Sequence, residues 1–268
     1  MTDLVLPRAG LSGMLRSEWT KLRTVRSTVW SLVAMAGIAI GLMSIIAWAV
    51  MRQWDTAGPG SQSYLAEHPL DLILSQPLFI AQLVVAVLGV MVISAEYTTG
   101  MIRSTLQAQP RRLTVLAAKV LVFAALMLGV GEVLSFGAFF AGKVILSSHV
   151  AVSLGDPGVT RAVIGAGLYT AMLGLFSLAL GAIIRHTAGA ITAVLGLILI
   201  VSQLTSLLPG RWGAHVNAWM PTNAGQLVFE QAVPADSLLS PWEGYAVFSG
   251  WTVLLLAVAA FLFKTRDA

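Results

Sequence analysis

Residues 96–112 read EYTTGMIRSTLQAQPRR (Glu96–Arg112), a polar and basic run set between two of the most hydrophobic stretches of the chain. Its few apolar residues, Met101, Ile102 and Leu106, recur where a helix puts them on one side, with Thr105 beside them and Arg103 and Gln107 on another face. Pro110 stops that helix, because its ring cannot accept the next turn. The spacing predicts a short amphipathic helix of about three turns. An apolar face with a defined stop suits docking into a partner's groove; a solvated connector remains the alternative reading.

The sequence on either side decides the fold. Of 268 residues, 57% are hydrophobic and only 10% charged, with a mean hydropathy of +0.84. Soluble globular chains carry about a quarter charged residues, so the solvent of this chain is lipid. Windows of about 20 apolar residues cross a bilayer as helices. Six are present: Val29–Met51, Leu72–Ser94, Val115–Ala141, Ala162–Ile184, Ala188–Leu208 and Tyr245–Phe263. Pro77 falls near the start of the second, where a missing amide costs little. Only Arg185, His186 and Thr187 separate the fourth from the fifth, which predicts a tight hairpin.

Lys and Arg gather on the cytoplasmic side of short loops. One set of span ends holds 12 of the 16 basic residues (Arg8, Arg16, Lys21, Arg23, Arg26, Arg103, Arg111, Arg112, Lys119, Arg185, Lys264 and Arg266). The other holds the remaining four: Arg52, Lys143, Arg161 and Arg211. Both termini are therefore expected in the cytoplasm. Trp30, Trp48, Trp54, Trp212, Trp219 and Trp242 lie near span ends, where aromatic belts form. The first apolar run is too long, and begins too late, for a cleaved signal peptide, and reads as a retained span. The basic excess follows topology, not a solvated face, so nucleic acid is not the expected partner.

Before the first span, Leu11, Met14, Leu15, Trp19, Leu22 and Val25 approach helical spacing within residues 11–25. Arg16, Lys21 and Arg23 lie off that stripe. An apolar stripe with basic flanks describes a helix lying in the membrane surface, its lipid-facing set being Arg16, Glu18, Trp19, Lys21 and Arg23. An ordinary basic flank that only fixes orientation is the alternative.

Glu132 falls near the middle of the third span. A carboxylate there costs about 2.5–3.5 kcal/mol on insertion scales, and the surrounding Val, Leu and Phe residues return about 4–7 kcal/mol. The span inserts, and Glu132 is expected to face protein or water: a solute conduit or cation contact, or else a hydrogen-bonded structural residue. Residues 209–244 are too long for a turn and too apolar for a solvated loop. Trp212, Trp219, Met220, Leu227, Val228 and Phe229 suggest short helices dipping back into the outer leaflet. Gly37 and Gly41 form a G-x-x-x-G that permits close helix approach, within the subunit or to a second copy.

Other chemistry finds little support. GAFFAGKV (Gly137–Val144) nearly spells a phosphate-binding loop, but Val144 replaces the magnesium-binding hydroxyl and the run closes an apolar span. Without cysteine there is no disulfide, thiolate metal site or cysteine nucleophile. His68, His149, His186 and His215 all lie in loops or at span ends, so no enzymatic centre and no metal site is expected. A proton-coupled carrier using Glu132 would need more midplane ionisable groups and a repeat. A non-transporting scaffold or sensor subunit stays open.

SEWTKLRTVRST (Ser17–Thr28) entering the first span, then EYTTGMIRSTLQAQPRR and AAK (Ala117–Lys119), resemble the permease subunits of type-2 ABC exporters, particularly the actinobacterial branch. The resemblance covers the whole chain and implies an all-α integral membrane protein of a bacterial plasma membrane, with six transmembrane helices and cytoplasmic N- and C-termini. It implies that the helix after the second span is a coupling helix, with Glu96, Met101, Ile102, Arg103 and Leu106 touching a separate ATP-binding subunit. It makes the N-terminal helix a connecting helix and the 209–244 segment a re-entrant outer gate. It further implies a homo- or heterodimer of permeases carrying two ATP-binding subunits, with ATP and Mg on those partners and no cofactor in this chain. The expected cargo is an amphipathic or hydrophobic drug, lipid or peptide moved outward by alternating access.

Overall fold

The computed structural model describes residues 10–109, 111–233 and 236–266, with only the backbone of Ala108. Arg8 and the Pro110 stop lie outside the described residues. The regular structure among the described residues is all helical, without a strand. All six expected spans form: Arg26–Arg52, Asp71–Thr98, Arg112–Leu146, Val159–Ile184, Thr187–Ser206 and Pro241–Thr265. Each is long and apolar enough to cross a membrane. Most extend a few residues beyond the apolar window into polar sequence, because a helix continues until something caps or breaks it.

The fourth span is the centre of the bundle. Two thirds (67%) of its apolar window is buried, against 17% for the first span and 22% for the fifth and the sixth, which present most of their surface outward. Small residues let the second and third spans close onto it. A Cβ on Gly89 would stand 2.5 Å from the carbonyl oxygen of Gly174, so backbone meets backbone there. In lipid, where apolar burial adds little between helices, such van der Waals closeness is what holds spans together. Tyr169, Phe123, Phe139, Phe176 and Phe248 fill the remaining core.

Three spans contain a wider, π-helical stretch: Gly37–Leu42 in the first, Asp71–Ser75 in the second and Gly196–Val201 in the fifth. In the second span it sits just before Pro77, whose ring removes an amide from the ladder, a recognised cause of local helix widening. Gly37 and Gly41 fall in the first of these stretches. An added Cβ at either would meet nothing within 4 Å, so no close approach among the described residues requires glycine at these two positions.

The bundle has two unlike ends. At the basic end lie the helix Leu11–Thr24, the helix Met101–Ala108, the turn at Arg185–His186 and the end of the sixth span. Arg185 makes the tight turn in the left-handed region (φ 59°), a conformation costing a non-glycine residue about 1–2 kcal/mol. Its guanidinium donates to the carbonyl of Leu262 (3.1 Å) and lies over the ring of Tyr97 (5.0 Å), which offsets that cost.

At the far end, the segment before the sixth span forms two short helices, Gly210–Ala218 and Pro221–Gln226. Arg161, near the start of the fourth span, braces the stretch just after the second of them by donating to the carbonyls of Leu227 (3.1 Å), Val228 (3.2 Å) and Gln231 (3.0 Å). Ser240 and Glu243 then start the sixth span with a reciprocal capping box.

Candidate functional site

The helix Met101–Ala108 is set off from the second span by Gly100, whose backbone is left-handed (φ 71°), a geometry glycine adopts without strain. It ends at Gln109, whose backbone is extended (φ −137°, ψ 98°), as expected of a residue before proline. Its apolar face does not point outward. Ile102 is buried at 2% exposure in the main core. Leu106 is half-buried and packs against both that core and a small cluster formed by Met14, Val115 and Ala118. The surface presented at the basic end consists of Met101, Arg103, Ser104 and Gln107. The amphipathic pattern is thus explained by packing on the chain's own N-terminal helix and third span, which corrects the reason for expecting a groove-filling apolar face.

Beneath this helix lies a closed ring of ion pairs that the sequence did not reveal. Lys119 Nζ contacts Glu18 Oε2 at 2.6 Å and Glu96 Oε1 at 2.9 Å. Lys21 Nζ contacts Glu18 Oε1 at 2.7 Å and Glu96 Oε1 at 3.0 Å. Glu18, Glu96 and Lys119 are buried at 2%, 6% and 3% exposure, and Lys21 closes the ring from the solvent side. Two cations alternate with two anions, so the burial leaves no uncompensated formal charge. The ring joins the N-terminal helix to the end of the second span and the start of the third, the two spans that flank the 101–108 helix.

The ring favours the charged forms of Glu18 and Lys21, its two members on the N-terminal helix. Burial alone would raise the Glu18 carboxyl, but the charge and hydrogen bond of Lys119, with those of Lys21, outweigh it and hold the group below its ordinary 4.5. Burial would lower Lys21; its hydrogen bond to Glu18 and the charge of Glu96 hold it above its ordinary 10.5.

The expected site residues are therefore divided. Glu96 and Ile102 are buried within the chain, Met101 and Arg103 are exposed, and Leu106 lies between. On the N-terminal helix, Arg16, Trp19 and Arg23 are exposed, whereas Glu18 and Lys21 turn inward to the ring. The buried face of that helix is Met14, Glu18 and Leu22, not the apolar stripe alone; Leu11, Trp19 and Val25 stay outside. The available clue was Lys119, a cation in the apolar run VLAAKVLVF, which has to find a carboxylate.

Glu132 is half-buried against Gly167 of the fourth span, where an added Cβ would come within 2.4 Å of its carboxyl carbon. It faces protein, with Tyr245 of the sixth span within electrostatic reach.

Residues 59–268 match the family model described as ABC-2 family transporter protein. The chain belongs to the ABC-2 transporter family. No curated protein matches it. The matched residues hold spans two to six and the whole 101–108 helix; the N-terminal helix and first span precede them. As an ABC-2 permease the chain is a multi-pass membrane protein and the membrane subunit of a transporter, not itself the catalytic one.

Proposed function

We propose that this permease is half of an ATP-driven exporter and is powered through the 101–108 helix by a separate ATP-binding subunit. The basic end is cytoplasmic on this reading, by the distribution of Lys and Arg. The observation that carries the reading is mechanical. The helix is fixed to its own bundle by Ile102 and Leu106, is flanked by the second and third spans, and rests over a buried ion ring that ties those spans to the N-terminal helix. A force on its exposed side is therefore transmitted to two spans at once. Met101 and Arg103 supply the contact; Glu96, Ile102 and Leu106 hold the lever rigid.

Two ATP-binding subunits, closing on ATP, move the levers of two permeases, and the cavity between the permeases switches from inward to outward access. Gly37 and Gly41, open on the first span, support close approach of a second copy. The 209–244 segment caps the outer side, and the cargo is an amphipathic or hydrophobic solute. The test is Met101→Asp with Arg103→Glu, in the complex with the ATP-binding subunit. Membrane insertion should be unchanged while export and its stimulation of ATP hydrolysis fall together. Export at the parental rate would overturn the reading.

A further inference from the structure

A cavity of about 850 Å³ opens at the far end, between the first and second spans and the segment after the helix Pro221–Gln226. Its volume is that of a site for a drug-sized ligand. Ile46, Phe79, Ile80 and Phe229 give it apolar walls. Its charged residues are Asp71 and Glu230, and no Lys or Arg lines it among the described residues. His68, paired with the Tyr64 ring at 4.9 Å, is the one basic side chain at its described wall. The guanidinium that lies within electrostatic reach of Glu230, that of Arg161, is committed to three backbone carbonyls. Asp71 accepts a hydrogen bond from the Tyr64 hydroxyl (2.5 Å).

At the cavity wall, Gln82 is buried at 1% exposure. Its Oε1 accepts from Tyr169 (2.7 Å), and its Nε2 has no partner among the described residues. Buried polar groups are nearly always satisfied, so an unused donor beside a cavity marks a place where a ligand or water completes the set.

We propose that this cavity binds an amphipathic organic cation that carries a hydrogen-bond acceptor. The two carboxylates meet the cationic centre, the aromatic and aliphatic walls take the apolar body, and the acceptor reaches Gln82. Burial and the neighbouring charge of Asp71 push the Glu230 carboxyl up, with Arg161 only partly opposing them; an arriving cation relieves that strain. An ammonium on an apolar body can belong to a free solute or to a lipid headgroup. Phosphate-bearing headgroups bring an anion for which the described wall offers no Lys or Arg. That the bound cation is cargo rests on the export reading; that it binds does not.

The experiment uses the full chain purified without an ATP-binding subunit, in phosphatidylcholine nanodiscs, and equilibrium dialysis with tetraphenylphosphonium and the isosteric anion tetraphenylborate. Above the uptake of protein-free nanodiscs, whose lipid takes up tetraphenylborate strongly on its own, the cation should bind and the anion should not. Glu230→Gln and Asp71→Asn should each weaken the cation about tenfold, the equivalent of one decade in Kd, with thermal midpoints no lower than the parent's. Two unlike carboxylate variants keep the test open if one fails to assemble. A probe with a carbonyl acceptor, rhodamine 6G, should bind more weakly to Gln82→Leu, while tetraphenylphosphonium should not. Competition by phosphatidylethanolamine that Glu230→Gln abolishes would make the occupant a lipid ammonium at the same site. Equal binding of both ions, or affinity unmoved in both carboxylate variants, would overturn the proposal. Binding without export in cells would leave the site standing and count against the export reading alone.

Discussion

Replacing Lys119 with Met keeps the length of the side chain and removes the one fully buried cation of the ion ring. Glu18 then keeps only Lys21, and Glu96 keeps only the same Lys21, so two carboxylates at 2% and 6% exposure share a cation that is partly solvated. Removing one partner of a buried ion pair costs about 3–5 kcal/mol, mostly as the penalty of stranding the other charge. For a chain of this size, about 1 kcal/mol moves the thermal midpoint by about 2–4 °C. The expected drop is therefore on the order of 10 °C, measured by fluorescence-detected size exclusion after heating in detergent. Glu96→Gln on the Lys119→Met background should recover much of the loss, because it removes the stranded charge; neighbouring residues of one network couple by about 0.5–3 kcal/mol. A midpoint within two or three degrees of the parent for Lys119→Met, or strict additivity with Glu96→Gln, would refute a ring that holds the basic end together.

The same ring sets a pH window. Glu18 is held below 4.5, so its contribution is full above that value and is lost as pH falls through its lower folded value; Lys21 is held above 10.5, so its contribution is full below that value and is lost as pH rises through its higher folded value. The thermal midpoint is expected to carry a ring contribution that is constant between those limits, and Lys119→Met should flatten the acid limb; an acid limb identical in parent and variant would contradict this. Gly100→Ala should cost about 1–2 kcal/mol from its left-handed backbone alone, since a Cβ there meets nothing, whereas Gly158→Ala should cost more because its Cβ would also stand 2.3 Å from the carbonyl of Gln231; melting curves of the two variants rank them. Glu132→Gln keeps its shape against Gly167 and removes the charge. It is expected to assemble normally and to lower export, and unchanged export across pH would assign Glu132 to packing alone.

The spans were legible because a bilayer demands long apolar runs whatever the neighbours are. Val115–Ala141 and Ala162–Ile184 fall wholly inside the helices Arg112–Leu146 and Val159–Ile184. Short helices within residues 209–244 were expected and two form, but of the six apolar residues that suggested them only Trp212 lies inside one; the 101–108 helix was legible from Met101, Ile102 and Leu106. What periodicity could not give was the direction of each face. Met101, Ile102 and Leu106 share one side of a helical wheel, yet Ile102 is buried in the main core, Leu106 packs against Met14, Val115 and Ala118 of the N-terminal helix and third span, and Met101 is exposed. The ion ring depends on pairs separated by 101, 75 and 23 residues, which local spacing does not encode. Glu18, Lys21 and Glu96 consequently read as surface residues, when tertiary packing neutralises them against one another and Lys119.

The chain has no cysteine, so a single introduced thiol is the only one present, and the central claim can be tested at one atom. Met101→Cys, in cells co-producing the ATP-binding subunit, should crosslink to that subunit through a short heterobifunctional reagent and should resist a membrane-impermeant maleimide applied from outside, while Tyr64→Cys should react with that maleimide and form no crosslink. Labelling of the Met101→Cys thiol from outside, or its failure to reach the ATP-binding subunit in an exporting complex, would contradict the account.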